Sequence, residues 1–300
     1  MRVSTAQVQR QGTDAMLLRF SELAKTQLQL STGKRINKTS DDPLGTTQLL
    51  PLKDIISIHE QYTRNNDTAR SRLMYEDNTL GQVNTVLTRI HELTVQGNND
   101  VLDATSRASI AEEMRRNLQT LMDLANTRDG NGDYLFAGDN VRTPAVQENP
   151  AGTFTYTGDN GQRQLQISLD RTVPVGDPGN DIFMNVPFSG GGTQSIFDTV
   201  YGVITNLEAN QSSPTEIADL QNAMDNVSTF RAKVGARLNT LDTQQNVNED
   251  LILRSRQTVS EIEDLDVAEA VSRLNIQLLG LQASQQAFNK IQNLSLFNYI

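Results

Sequence analysis

Hydrophobic positions recur along much of this chain in alternating steps of four and three. One series runs through Ala69, Leu73, Glu76, Leu80, Val83, Leu87 and Ile90, and a second through Leu220, Met224, Val227, Arg231, Val234, Leu238 and Leu241. A stripe this narrow is the seam along which long helices pair in a coiled-coil-like way. Around residues 106 to 127 the spacing puts Ile110, Met114, Leu118, Leu121 and Ala125 on one face of a further helix. The period changes to two in "TFTYTGDNGQRQLQISL", where Phe154 and Tyr156, then Leu165, Ile167 and Leu169, alternate with polar residues. This predicts two half-buried strands joined as one hairpin around Asn160 and Gly161. Five of the eight prolines lie between Pro144 and Pro187 and nine of the nineteen glycines between Gly138 and Gly192, so turns bound this stretch on both sides.

The resulting fold class is mainly α: a long antiparallel coiled-coil-like helical bundle formed by N- and C-terminal arms, with a small inserted β-rich domain. Five segments follow: residues 1–40 and 265–300 as terminal assembly helices, 41–140 and 194–264 as the arms, and 141–193 as the β-rich insert. The insert is expected to be peripheral, so that removing residues 145–188 leaves the helices folded. Helix boundaries have chemical markers. Ser213, Pro214 and Glu216 combine an N-cap, a first-turn proline and a capping-box acid, and Asp266 with Glu269 repeats the acidic version. Asp41 and Asp42 precede Pro43 at another start, and Gly33 suits the stop before it. Pro51 is expected to kink or restart the helix that begins at Pro43.

The two ends differ from the arms because each is apolar on more than one side. Met16, Phe20, Leu23, Gln27 and Leu30 form one stripe near the N-terminus, with Leu17, Ala24 and Leu28 beside it. At the other end Val267, Val271, Leu274, Leu278, Leu281, Gln285 and Phe288 make one face, and Ile276, Leu279, Ala283, Ala287, Ile291 and Leu294 a second. One partner helix cannot cover both faces, so other subunits are expected to complete the burial. Alone, such ends bury too little to offset roughly 1 to 2 kcal/mol per residue of ordering entropy, and they are expected to be disordered in the monomer.

Composition narrows the function. Hydrophobic residues make up 37% and aromatic residues 5% with no Trp, which is thin for a compact enzyme and suits helices that borrow burial from neighbours. The formal charge of -10 argues against nucleic acid as a partner. It is segregated: residues 1–40 carry seven Lys or Arg against two acids, and residues 270–300 carry Arg273 and Lys290 with none. With no cysteine, disulfides and thiolate chemistry are excluded, and His59 and His91 stand in helical sequence without partners spaced for catalysis. No apolar run is long enough to span a membrane, and a membrane-surface helix would carry more Lys and Arg than the polar side of the last segment does. "DGNGDYLFAGDN" sets Asp129, Asn131 and Asp133 at the first ligand positions of an EF-hand, but Tyr134 and Asn140 replace the required Gly and Glu. It is read as a turn between a helix and the apolar run that follows. No catalytic, cofactor or metal residues are assigned.

The run "LSTGKRINKTSDDPLG" resembles the N-terminal signature of the bacterial flagellin family, with Arg35, Ile36, Asn37, Asp41, Asp42 and Gly45 at the matching places. "IEDLDVAEAVSRLNIQLLGLQASQQAFNKIQNLSLFNYI" resembles the terminal helix of the same family. "NGDYLFAGDNVRTPAV" and the ending "AFNKIQNLSLFNYI" are similar to its hook-associated members rather than to filament flagellins. The resemblance implies a non-enzymatic adaptor joining hook to filament, exported to the extracellular flagellum without a cleaved signal peptide. It implies a ring of identical subunits, the first hook-associated protein and flagellin as neighbours, and an export chaperone on the C-terminal helix. Met16, Phe20, Leu23, Leu30, Val271, Leu274, Leu278, Leu281, Phe288, Ile291 and Leu294 would then line the subunit interfaces. Two other readings remain: a filament flagellin, or an exported coiled-coil protein outside the flagellum.

Overall fold

The computed structural model describes residues 5–150 and 152–293. Helices α1 (Thr5–Thr32), α2 (Pro43–Gly97) and α3 (Ala104–Ala125) come first. Six short strands follow: β1 (Val146–Glu148), β2 (Phe154–Tyr156), β3 (Gln164–Ser168), β4 (Arg171–Pro174), β5 (Val186–Pro187) and β6 (Thr193–Gln194), with a π-helical turn at Asn180–Met184 before β5. Helices α4 (Ile196–Glu208), α5 (Pro214–Glu263) and α6 (Val267–Asn293) complete the chain. It divides into two compact units, His59–Glu249 and the pair of terminal segments Met1–Ile58 with Asp250–Ile300.

In the 59–249 unit the four-three seam is buried as its spacing requires. Leu73, Leu80, Val83, Leu87 and Ile90 of α2 are fully enclosed, as are Leu220, Val227, Val234 and Leu241 of α5. Helix α3 starts at Asp103, whose carboxylate accepts the Ser106 N–H at 2.9 Å, and it buries Ile110, Met114, Leu118, Leu121 and Ala125. It packs on α4, a short amphipathic helix whose Ile196, Phe197, Val200, Val203, Ile204 and Leu207 are enclosed.

The β-rich stretch departs from the expected single hairpin. Phe154–Tyr156 pairs with Val146–Glu148, and Gln164–Ser168 pairs with Arg171–Pro174, so the two alternating segments belong to different hairpins. Each finds a nearer partner through a tighter turn. The first closes where the Asn149 and Thr153 backbones bond at 2.8 Å and Gly152 takes φ +73°, a conformation that favours glycine. The second closes across Leu169 and Asp170. The linker at Asn160 and Gly161 is committed elsewhere: the Asp159 N–H donates to the Ala137 carbonyl, and the Asp159 carboxylate accepts the N–H groups of Asp139 and Gly161.

The stretch is also not peripheral. Val146, Phe154, Ile182, Phe183 and Val186 share one buried cluster with α2, α3, α4 and α5, and Phe183 meets Phe136 edge to face at 5.2 Å. Ile167, Val173 and Val175 join Ala69, Leu73, Val234 and Leu241 in a second cluster. In packing, the insert is therefore not the peripheral module expected: its side chains are part of what the helices pack on.

Two local features were opaque to periodicity. Arg107 is buried without a carboxylate, and its guanidinium donates to the carbonyls of Gly97 and Asn99 after α2 and of Asn210 after α4, at 3.0 to 3.2 Å. These carbonyls lie where helix dipoles place negative charge, which is what makes a buried cation tolerable there. Pro51 does not interrupt α2, which runs through it. Both Pro51 and Thr47, whose carbonyl loses its intrahelical donor, lie on the exposed side, so water can replace the missing bond.

Candidate assembly interface

The terminal unit is organised around a corner that the family-like signature builds. Helix α1 stops at Gly33, which adopts φ +70° while its N–H returns to the Gln29 carbonyl at 2.9 Å. The next residues clamp onto the turn between α5 and α6. The Arg35 N–H donates to the Glu263 carbonyl at 2.7 Å, and the Leu265 N–H donates to the Gly33 carbonyl at 3.0 Å. Each signature side chain has a local role. The Arg35 guanidinium reaches the Ile262 carbonyl at 2.7 Å and Asp42 at 3.3 Å. Ile36 is buried over Gly45, where an added Cβ would come within 2.7 Å of the Ile36 Cδ1. The Asn37 side chain donates to the Lys34 carbonyl.

Asp41 and Asp42 divide the work that their sequence position suggests. Asp42 accepts the Gly45 N–H at 2.9 Å and so caps α2. Asp41 accepts the N–H groups of Asn37 and Lys38 and pairs with Lys25 at 3.0 Å. The Lys25 ammonium, followed by the Lys38 N–H, holds the Asp41 carboxyl below the usual carboxylate range. At α6 Asp266 caps through the Glu269 N–H.

Sequence reasoning missed the counterpart of the signature. Glu263 has a nearly buried side chain and receives Lys34 at 2.9 Å and Lys53 at 3.0 Å. Burial alone would raise its carboxyl, but the two lysines outweigh burial and leave it below its ordinary value. The only hint was its place in "IEDLD", between the seam of α5 and the acid that caps α6. Beside the corner, a groove of about 420 Å³ opens with Glu22, Lys25, Arg35, Asp41 and Arg273 on its walls.

Helices α1 and α6 pack on each other. They come close at two glycines: a Cβ on Gly12 would lie 2.8 Å from the Phe288 ring, and one on Gly280 would lie 2.8 Å from the Arg19 guanidinium. The enclosed side of α1 holds Leu23 with Thr26 and Gln29, while Met16 and Leu30 are half-buried. Along α6 Ala270 is buried and Leu274, Gln277, Leu281, Ser284 and Phe288 are half-buried. The stripe covered within the chain thus mixes leucines, Met16 and Phe288 with small and polar residues. A second set of large apolar side chains points away from it: Phe20 is 60% exposed, Leu17 67%, Ile276 67% and Leu279 66%, and Val271 and Leu278 are exposed too. Of the other expected interface residues, the side chain of Ile291 and the whole of Leu294 lie outside the described residues.

Elsewhere, the Asp129 carboxylate of the EF-hand-like stretch is taken up by the N–H groups of Asn131 and Asp133 and by Arg72 at 3.4 Å, the geometry of a turn. No described helix is long and apolar enough to cross a membrane.

Comparison with known proteins bears on what this unit is for. The model of the bacterial flagellin N-terminal helical region matches residues 3–141, and that of the C-terminal helical region matches residues 217–300. The flagellar hook-associated protein 3 of Escherichia coli is 30% identical over 316 aligned residues, which cover 99% of each chain. The flagellin of Bacillus subtilis is 27% identical, with 87% of this chain and 86% of that one covered. The crystal structure of flagellar hook associated protein-3 from Legionella pneumophila superposes with a TM-score of 0.66 at 23% identity, covering 70% of this chain and 98% of that one, a likeness of fold. With both helical regions matched at its two ends and a relative of this kind matched from end to end, the chain belongs to the bacterial flagellin family.

Proposed function

We propose that this protein is a non-enzymatic structural adaptor of the bacterial flagellum that joins the hook to the flagellin filament. The observation that carries this reading is the pair α1 and α6, which approach each other closely at Gly12 and Gly280 and still leave Phe20, Leu17, Ile276 and Leu279 outside. A surface so apolar is the mark of a face made to be covered. The end-to-end likeness to a hook-associated protein 3 supports the junction over the filament itself. In this reading the outward faces, with Met16, Phe20, Leu23, Leu30, Val271, Leu274, Leu278, Leu281, Phe288, Ile291 and Leu294 on or behind them, pack against copies of the same chain in a ring. The first hook-associated protein lies on one side and flagellin on the other. Before assembly the ends are disordered, and an export chaperone covers the C-terminal helix.

The test is electron microscopy of a strain deleted for this gene. Hooks without attached filaments, with flagellin released into the medium, are the expected result. Filaments attached as usual would overturn the proposal. Long fibres grown from the purified protein on filament seeds would reassign it as a filament subunit.

A further inference from the structure

The 59–249 unit offers two unexplained polar features. The cleft of about 530 Å³ between α2 and the hairpin β3–β4 holds Arg72 and Arg163, but Asp129 and Asp133 stand opposite these cations, so no ligand charge is called for. The second feature is Glu76. It occupies a seam position of α2 between Leu73 and Leu80 and is fully buried. One carboxyl oxygen accepts the Asp177 N–H at 3.0 Å, and the other has no hydrogen-bond partner among the described residues.

Glu76 lies at a boundary. Leu73, Val175 and Val234 belong to the apolar cluster under β3–β4, whereas Leu80, Ile182 and Val227 belong to the larger aromatic cluster. Between them runs a polar layer. Asp177, in the loop after β4, is bound by the Arg237 guanidinium of α5 through two bonds of 2.9 and 2.8 Å and by the Gln162 side chain at 2.9 Å. The charged groups around Glu76 are Arg72 of α2, Arg237 of α5 and Asp177. Both arginines already have an acidic partner, Asp129 and Asp177 respectively, although the buried Arg72 Nε itself has no hydrogen-bond partner among the described residues. An ionised Glu76 would therefore add a second carboxylate beside Asp177 with one oxygen bare in an apolar seam, the arrangement that costs most inside a protein.

We propose that Glu76 is held as the neutral acid in the folded protein, and that loss of its proton releases the β3–β4 hairpin and its following loop from α2 and α5. Burial, and after it the Asp177 charge, push the Glu76 carboxyl up to about 8. The sign follows from linkage. The folded state keeps a proton that the unfolded chain gives up near pH 4.5, so this contribution is complete below pH 4.5 and is lost as pH rises toward 8. Over that interval the folding equilibrium falls up to tenfold per pH unit.

Two measurements on the full chain test this. In wild-type protein labelled with ¹³C at glutamate carboxyls, one carboxyl should remain protonated at pH 6.5, when the exposed ones have titrated. Titration of every glutamate near pH 4 to 5 would overturn the proposal whatever any variant does. In Glu76→Gln, the decline of the urea midpoint between pH 5 and 8 should flatten, and hydrogen exchange at the Asp177 amide should lose its excess at high pH. A variant that folds and keeps the wild-type slope would also refute it.

Discussion

The unit of residues 59–249 and the unit of the two chain ends are both built from long helices, yet they treat their apolar residues in opposite ways. In the first, α2, α3, α4, α5 and the strands enclose two buried apolar clusters, and the exposed large hydrophobic residues, such as Met74, Val101 and Leu169, are scattered. In the second, only Leu23, Ile36, Leu49, Ile252 and Ala270 are buried among the described hydrophobic residues, while leucines, isoleucines and Phe20 stand out along α1, α2 and α6. What order the second unit has on its own comes from its polar corner, where backbone bonds and ion pairs tie Gly33 and Arg35 to Glu263 and Leu265. Directional polar contacts can fix a geometry, but burial supplies most of the stabilisation. One unit is therefore built to be stable alone and the other to be completed.

The sharpest way to break this contrast is to remove part of the closed core. Deleting residues 145–188 takes out Val146, Phe154, Ile182, Phe183 and Val186, each worth roughly 1.5 to 3 kcal/mol when fully buried. The combined loss is comparable to the whole stability of a typical domain, about 5 to 15 kcal/mol. Thermal unfolding followed by circular dichroism should lose its cooperative transition. A retained sharp transition would mean the helices of this unit hold without the strands.

Arg107→Ala comes next. It strips the guanidinium from three carbonyls at helix ends, of which that of Gly97 is buried and that of Asn99 still receives the Leu102 N–H, and a cost of about 2 kcal/mol is expected in urea unfolding. Arg107→Lys should recover only part of this, since an ammonium cannot present the planar fork that reaches both ends. Equal stability of the lysine variant and wild type would show that charge alone suffices.

A smaller effect is expected at the corner of the other unit. Glu263 is held below its ordinary value, so the stability it lends is present above about pH 4.5 and is lost as pH falls through its folded value. The amide signals of Arg35 and Leu265, whose N–H groups cross the corner, should shift in acid in the wild type. In Glu263→Gln they should resemble the acid form already at pH 7. Amide signals that ignore both acid and substitution would remove Glu263 from the corner.

The smallest change in folding should come from Phe20→Ser combined with Leu279→Ser. Both side chains are mostly exposed, so the monomer should unfold within about 0.5 kcal/mol of wild type. Swimming of the complemented deletion strain should nevertheless fail if these faces are covered in the assembly. Normal motility, with export verified, would send the interface to other residues.

Much of the architecture was legible because it depends on local chemistry. Gly33, Asp42, Asp266 and the Ser213–Pro214 pair mark helix ends where backbone groups need partners or a left-handed turn, and the seam residues from Ala69 to Ile90 are enclosed as their spacing requires. The corner was half legible, since the signature from Arg35 to Gly45 stood out while Glu263, more than two hundred residues away, did not.

Partnership and facing were decided only in three dimensions. Alternation marks a strand without naming its partner, so Phe154–Tyr156 and Gln164–Ser168 looked like one hairpin and became halves of two. Arg107 carries no periodic signal because its partners are carbonyls brought together by three helix ends. A two-sided apolar helix likewise does not say which side its own chain will take. In α1 and α6, which approach closely where Gly12 meets Phe288 and Gly280 meets Arg19, one stripe of mixed character is covered and a second set of large apolar side chains is left outward. Caps and periods are set by neighbours a few residues apart, whereas pairing and facing are set by which distant surfaces can approach closely enough to exclude water.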